Sequence, residues 1–193
     1  MQTFSKVYDS YGQAQNAVRD LEAAGVPSAE ISIVANKYVS DRSANVEDVS
    51  ATASGAGLGA VLGGGAGLLA GLGMMAIPGI GPVVAAGWLA STALGAAAGS
   101  ATGGIVGALV DAGTPEAHAH VYSEAVRRGG TLVTVRTNQT NARIEQILNG
   151  YSPIDPVARA AEYKKSGWTQ YNPASPAYRP DQSEIERIRR PFK

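Results

Sequence analysis

The fold of this chain is decided by two apolar runs, residues 51–77, ATASGAGLGAVLGGGAGLLAGLGMMAI, and residues 82–110, PVVAAGWLASTALGAAAGSATGGIVGALV. Both lie in a stretch of 62 residues, between Asp48 and Asp111, that contains no Lys, Arg, Asp, Glu or His. Within it, 33 residues are Gly or Ala. A stretch of this composition must be buried in lipid or in protein, so it carries most of the structural information in the sequence.

Small residues recur at every fourth position in both runs. A spacing of four places residues on one stripe of a helix. Small residues on such a stripe allow two helix backbones to approach closely, as they do in membrane proteins. We therefore predict a helix-packing role for Gly55, Gly59, Gly63, Gly67 and Gly71 in the first run, and for Gly87, Ser91, Gly95, Gly99, Gly103 and Gly107 in the second.

The link between the two runs contains two prolines and two glycines, Pro78, Gly79, Gly81 and Pro82, which indicate a turn. The runs are 27 and 29 residues long. At about 1.5 Å per residue, a helix of either length exceeds the roughly 30 Å hydrocarbon core of a bilayer. The sequence therefore predicts a transmembrane helical hairpin.

Charges around the runs suggest an orientation for this hairpin. Lys37 and Arg42 precede it, Arg127 and Arg128 follow it, and its tip is uncharged, which favours an inner-membrane protein with cytoplasmic termini. Trp88 suits an interfacial position. The alternative is a cytoplasmic assembly with the hairpin buried between copies. Each interior Gly costs about 0.8–1 kcal/mol relative to Ala in a helix, so such arms need lipid or a packing partner.

The flanking regions show ordinary helix and strand patterns. Residues 3–8 alternate as a strand, residues 11–24 have the pattern of an amphipathic helix, and residues 31–35 indicate a buried strand. The apolar face of the helix consists of Ala14, Ala17, Val18 and Leu21.

A second set of elements follows the uncharged stretch. Residues 114–128 predict a helix, because a capping Thr114, a proline and a glutamate stand at its start and two glycines follow its end. Residues 131–136 indicate a strand, and residues 141–148 a short helix.

We predict an α+β protein: a small ferredoxin-like module, split into a β-α-β half and an α-β half, and interrupted by a long Gly/Ala-rich helical hairpin. One of the four strands expected of such a module is not recognised, and the uncharged stretch lies about where it belongs. The predicted divisions are the first half of the module at 1–48, the glycine-zipper hairpin at 49–110, the second half at 111–150, and an extended tail with a short terminal helix at 151–193.

The chain offers little catalytic chemistry. It has 16 basic and 16 acidic residues, which gives no sign of nucleic-acid binding, and the absence of cysteine excludes disulfides and thiolate sites. His118 and His120 are two residues apart and face different sides of a helix, so we predict a surface pair rather than metal ligands. Residues 55–60 match a dinucleotide-binding pattern but lack the preceding strand and the later acid. We predict no catalytic residue, no cofactor and no metal.

The tail, residues 151–193, holds 6 of the 12 aromatic residues and 6 of the 10 prolines, a composition typical of extended chain. We predict Trp168, Tyr171 and Tyr178 as docking anchors on a neighbouring subunit or partner. The equal alternative is a tail wrapped on its own domain. Asp181 indicates the start of a short terminal helix.

Three strings resemble bacterial general stress proteins that carry the heat-induced stress protein domain. They are FSKVYDSYGQAQNAVRDLEAAGVP at 4–27, GIGPVVAAGWLAS at 79–91 and EAVRRGGTLVTVR at 124–136. The resemblance covers residues 1–150. It implies a small α/β module interrupted by a Gly-rich hydrophobic segment, and a stress-associated, membrane-linked protein with no catalytic residues to carry over.

Together, these observations predict a non-enzymatic, stress-associated membrane protein. It would form a homo-oligomer through the glycine stripes, contact membrane lipid, bind no nucleic acid and present its α/β module to the cytoplasm. The alternative is a soluble, self-assembling structural protein whose hairpin forms the intersubunit core and whose tail docks on neighbours. The sequence names no protein partner, and nothing specific supports an enzyme or a small-molecule sensor.

Overall fold

A computed structural model of the chain describes residues 2–36, 73–77, 79–90, 92, 104–138, 142–176 and 181–189. Its strands are β1 (Gln2–Tyr8), β2 (Ile31–Asn36), β3 (Gly73–Ile77), β4 (Gly81–Ala86) and β5 (Thr131–Thr137). Its helices are α1 (Tyr11–Ala23), α2 (Ile105–Asp111), α3 (Glu116–Arg127), α4 (Ala142–Gly150), α5 (Pro156–Lys165) and α6 (Gln182–Arg189), and a short 3-10 helix, Ser28–Glu30, precedes β2.

The five strands form one antiparallel sheet in the order β1-β5-β2-β4-β3. Since β5 is antiparallel to both of its neighbours, β1 and β2 run in the same direction with β5 between them. By the same argument, β4 and β5 run in the same direction with β2 between them. Two β-α-β units, β1-α1-β2 and β4-α3-β5, are therefore interleaved in one sheet.

Apolar side chains fill both faces of the sheet. Along β2, Val34 joins a core cluster with α2 and α3, while Ile33 joins a second cluster with α1 and α4. Alternate residues of a strand point to opposite faces, so helices cover both sides. The predicted α+β class is confirmed. The finer prediction of a ferredoxin-like module is not, because the sheet has five strands instead of four and both of its faces are covered.

The elements on either side of the uncharged stretch are confirmed. The predicted strands correspond to β1, β2 and β5, and the predicted helices to α1, α3 and α4. One detail differs. Thr114 does not cap α3, whose N-cap residue is Pro115. The hydroxyl oxygen of Thr114 instead lies 3.1 Å from the hydroxyl oxygen of Ser5. All four residues predicted for the apolar face of the first helix, Ala14, Ala17, Val18 and Leu21, are fully buried.

The predicted helical hairpin is wrong where its two arms meet. Residues 73–77 and 81–86 form the β-hairpin β3–β4, with Met75 opposite Val83. The neighbouring residues Val83 and Val84 are buried on opposite faces of the sheet, as in a strand covered on both sides. Periodicity cannot distinguish such an apolar run from a buried helix. The strand missing from the predicted module thus lies within the uncharged stretch.

The predicted transmembrane hairpin and the membrane function built on it are also wrong. No helix in the part of the chain that the structure describes is long and apolar enough to cross a membrane. Within the predicted second arm, residues 81–86 are a strand and α2 has only seven residues.

Two of the predicted helix-packing residues are described, and they have different environments. Gly107 lies in α2. Gly87 follows β4 with φ +91°, and a Cβ there would clash with the backbone oxygen of Ile31 and lie 2.7 Å from Cα of Ser32. A small residue is needed at Gly87, but for contact with a strand. The other members of the stripes, Gly55, Gly59, Gly63, Gly67, Gly71, Ser91, Gly95, Gly99 and Gly103, lie outside the described residues.

Candidate docking site of the C-terminal tail

One end of the sheet receives the tail. The strand registers place the last residues of β1, β2 and β3 beside the first residues of β4 and β5. After α4, the chain crosses this end from β1 to the turn between β3 and β4. We call residues 153–176, which make this crossing, the C-terminal arm.

The arm first meets the outer side of β1. The backbone N–H of Ile154 donates a hydrogen bond to the carbonyl of Val7 (2.8 Å), and the Ile154 side chain is buried in the α2–α3 core cluster. Since β1 is an edge strand with β5 as its one neighbour in the described sheet, this bond adds a backbone contact from the arm. The arm therefore closes part of the β1 edge.

Helix α5 begins immediately afterwards and adds an ion pair. Asp155 caps the helix by accepting bonds from the N–H groups of Val157 (2.7 Å) and Ala158 (2.8 Å). One turn later, the guanidinium of Arg159 donates two hydrogen bonds to the Asp9 carboxylate, at 2.8 and 2.6 Å. These bonds raise the pKa of Arg159 above its ordinary value, although burial acts in the opposite direction. The bidentate geometry fixes α5 against the end of β1.

Tyr163, near the end of α5, contacts both an arginine at the end of α3 and a second aromatic residue of the arm. Its side chain is 5% exposed, and the guanidinium carbon of Arg128 lies 4.3 Å from its ring centroid. The ring of Trp168 meets it edge-on at 5.6 Å. Burial raises the pKa of Tyr163, while Arg159 and Arg128 lower it. Arg128 thus contacts the arm through a cation–π interaction.

The same arginine is held by a buried carboxylate. Glu124 is 2% exposed and accepts hydrogen bonds from Arg127 Nε (2.9 Å), Arg127 Nη2 (2.8 Å) and Arg128 Nε (2.6 Å). A buried charge is costly unless it is paired and hydrogen-bonded, and the two arginines provide both compensations. Glu124 therefore fixes the guanidinium groups that face the arm.

The arm ends in a socket for Tyr171. This side chain is 3% exposed and packs in the α2–α3 core cluster; burial raises its pKa to about 12, and nearby Arg127 and Glu124 have opposite, smaller effects. At the β3–β4 turn, a Cβ on Gly79 would lie 2.8 Å from the carbonyl oxygen of Asn172 and 2.9 Å from the Tyr171 hydroxyl oxygen. We call Gly79, Glu124 and Arg127 the Tyr171 socket.

Of the three residues predicted as docking anchors, Tyr171 lies at this site. Tyr171 is buried in its own chain, which agrees with the alternative of a tail wrapped on its own domain. Trp168 is half-buried, and Tyr178 lies outside the described residues. Tyr163 and Glu124 were not identified from the sequence. A signal for Glu124 was present, because it precedes two apolar residues and two arginines in the string EAVRR at 124–128.

Of the four turn residues predicted between the runs, three are described, and Gly79 lies at this site. Gly79 and Gly81 have φ values of +75° and +94°, which glycine adopts without steric cost. Pro82 is the second residue of β4. Pro78 lies outside the described residues.

Other candidate residues lie away from the arm. His120 Nε2 is 3.8 Å from the Glu116 carboxylate, and His118 stacks obliquely near Tyr122. In the described ranges, no group of three or more His, Cys, Asp or Glu residues is arranged to hold a metal ion. Trp88, expected at a membrane interface, lies 4.4 Å from the guanidinium carbon of Arg136.

Residues 3–78 match the family model of the heat induced stress protein YflT domain. This match confirms the predicted resemblance to general stress proteins over β1, α1, β2 and β3, and it stops before the elements that form most of the Tyr171 socket. No curated protein and no solved structure matches the chain.

Proposed function

We propose that this general stress protein acts without catalysis, by associating with copies of itself through the outer edge of β3. The observation that carries this proposal is the composition of that edge. Strand β3 ends the sheet and has the sequence GMMAI, with no charge and no proline. The uncharged stretch would then supply the contact between copies, as a β-hairpin instead of a pair of helices.

An edge strand presents backbone N–H and C=O groups on its outer side, and natural proteins usually protect such edges with charges, proline, bulges or a covering segment. The β1 edge has such protection, since it contains Lys6 and receives Ile154. Within the described residues, β3 pairs only with β4 and has no protective side chain.

A second copy is the simplest partner for this edge. Two β3 strands related by a twofold axis would pair antiparallel and join two five-stranded sheets into one. Because β3 is uncharged, no like charges would face each other across the new pair. The result is the homo-oligomer that the sequence predicted.

The environment of the charged residues supports a non-enzymatic role. Glu124 is bonded to Arg127 and Arg128, and Asp9 is bonded to Arg159. Each of these contacts joins secondary-structure elements or completes a helix end, which is a structural use of charge.

The proposal is tested with charges placed on β3. Ala76 is exposed, so Ala76→Lys and Ala76→Glu should fold, but each should repel its own copy across the pair. Light scattering at increasing concentration should give a higher particle mass for the unchanged protein than for either charged variant, and mixing the two charged variants should restore that higher mass. Ala76→Thr is the uncharged control and should associate. A protein that stays monomeric at all concentrations, or Ala76→Lys that associates normally, would refute the proposal.

A further inference from the structure

The joint between α4 and the C-terminal arm has an unfavourable backbone conformation. Ser152 is the one non-glycine residue with positive φ (+52°) in the part of the chain that the structure describes. L-residues avoid this region, and a residue that precedes proline is further restricted to extended conformations. Ser152 precedes Pro153. The closed position of the arm is thus reached through a conformation that both rules disfavour.

Firm contacts on both sides hold the joint in this conformation. On the body side, the Tyr151 hydroxyl donates a hydrogen bond to Asp20 (2.5 Å), and the Tyr151 carbonyl accepts one from Gln13 (3.0 Å). On the arm side, Ile154 is bonded to Val7 only two residues beyond Ser152. The unfavourable backbone conformation is therefore confined to Ser152, between these two sets of contacts.

We propose that the arm exchanges between two copies of this chain. Ser152 would take an extended conformation, and the arm of each copy would lie across the sheet of the other, with its Tyr171 in the other copy's Tyr171 socket. Exchange of an identical element is a low-cost route to a dimer, and it is favoured when the connecting segment, the hinge, is short and strained. The hinge here is Ser152 and Pro153.

The occupant of the socket follows from the interactions already made there. The arm meets the body through the Ile154–Val7 hydrogen bond, the Arg159–Asp9 ion pair and the seat of Tyr171 on Gly79. A second copy offers the same groups in the same arrangement, so each interaction that opening breaks forms again when the arms exchange. The net free-energy gain from exchange is therefore the backbone strain removed at the two Ser152 residues minus the entropic cost of bringing two chains together.

This inference deepens the proposed self-association, on which it rests, by naming how the tail of one copy docks on another. The two interfaces are separable, since exchange uses the arm and the end of the sheet while edge pairing uses β3. Exchange should persist in Ala76→Lys, which removes only edge pairing. Loss of edge pairing and loss of arm exchange are therefore distinct results.

The absence of cysteine allows a direct test. Asp9→Cys and Arg159→Cys chains, one carrying a mass tag, are mixed at high concentration and treated with a short bismaleimide. Residues 9 and 159 form an ion pair in the closed fold. Exchange would place the cysteine at position 159 of one chain beside the cysteine at position 9 of the other, so the reagent should join one chain of each kind. The double variant, with both cysteines in one chain, should give dimeric as well as intrachain products. Intrachain products alone, with no cross-link in the mixture, would overturn the proposal.

A matched pair of hinge variants supplies the second readout. Ser152→Gly tolerates positive φ and should lower the cross-linked fraction at least about fivefold, because it removes the penalty that exchange relieves. Ser152→Ala retains the penalty and should leave that fraction unchanged. Equal fractions for the two variants would show that hinge strain does not drive exchange and would overturn the proposed mechanism.

Discussion

The two edges of the sheet are treated differently by the same chain. Strand β1 contains a lysine, is crossed by the arm and accepts a backbone hydrogen bond from it. Strand β3 has neither a charge nor a proline, and among the described residues only β4 pairs with it. Both edges belong to one sheet, and the difference between them fits the roles proposed above: the arm protects β1, and β3 would be used for pairing.

The arm connects the two edges without covering the second. It starts on β1 at Ile154 and ends on the β3–β4 turn at Gly79, so it spans one end of the sheet. The arm therefore contacts the β3–β4 turn, and the proposed pairing would use the outer side of β3.

The largest effect is expected at Gly87, which brings the hairpin close to β2. In Gly87→Ala, the new methyl group meets the Ile31 carbonyl at a φ of +91°, so unfolding by denaturant should show a loss of about 3 kcal/mol or more. Gly25→Ala is the control: its φ is +87° but its surroundings are open, so about 1 kcal/mol is expected. If residue 87 were helical instead, Ala would stabilise the protein, and that opposite sign would contradict the fold.

The next effect concerns the buried carboxylate that orders the arm. Glu124→Gln leaves two arginines without their charged partner, and since both are partly exposed we expect a loss of about 2 kcal/mol in the free energy of unfolding. The matched control on the same helix is the exposed Glu116→Gln, with a change below about 0.5 kcal/mol. Similar losses for the two variants would show that Glu124 has no special role.

A smaller effect is expected at the β1 end of the arm. Asp9→Asn weakens a partly exposed ion pair, so global stability should fall by less than about 1 kcal/mol. Proteolysis within the arm should nevertheless become faster, because this contact holds α5 on the body. A wild-type proteolysis rate would contradict that assignment.

The pH dependence of stability tests the Tyr171 socket. The pKa of Tyr171 is raised from 10.0 to about 12 by burial. The unfolded chain loses its phenolic proton first, so the stabilisation from burying the neutral ring is complete below pH 10 and decreases as the pH rises towards 12. Tyr171→Phe should show a shallower decrease over this interval. Identical slopes for the two proteins would place Tyr171 outside the socket.

The elements predicted correctly from the sequence are those in which the spacing of apolar residues fits either a helix or a strand, but not both. The helix with Ala14, Ala17, Val18 and Leu21 on one face folds as expected, and so do the strands that frame it. These patterns repeat at helical or strand spacing and end at glycine, proline or capping residues, which is local information.

The prediction failed where the pattern was ambiguous. Residues 81–86 are apolar on both sides because both faces of the sheet are covered, and such a run resembles a buried helix. The spacing predicts that Gly87 packs against a helix, whereas the atoms close to it belong to the backbone of β2. The Tyr171 socket unites residues far apart in the chain, and no local pattern reports such proximity.

Amide hydrogen exchange, measured at low and at high protein concentration, compares the two edges directly. If β3 pairs with β3 of a second copy, amides of residues 73–77 should exchange more slowly at high concentration, while those of β1 should exchange at the same rate in both samples. If amide hydrogen exchange of residues 73–77 is independent of protein concentration, that result would contradict the pairing of β3 with a second copy.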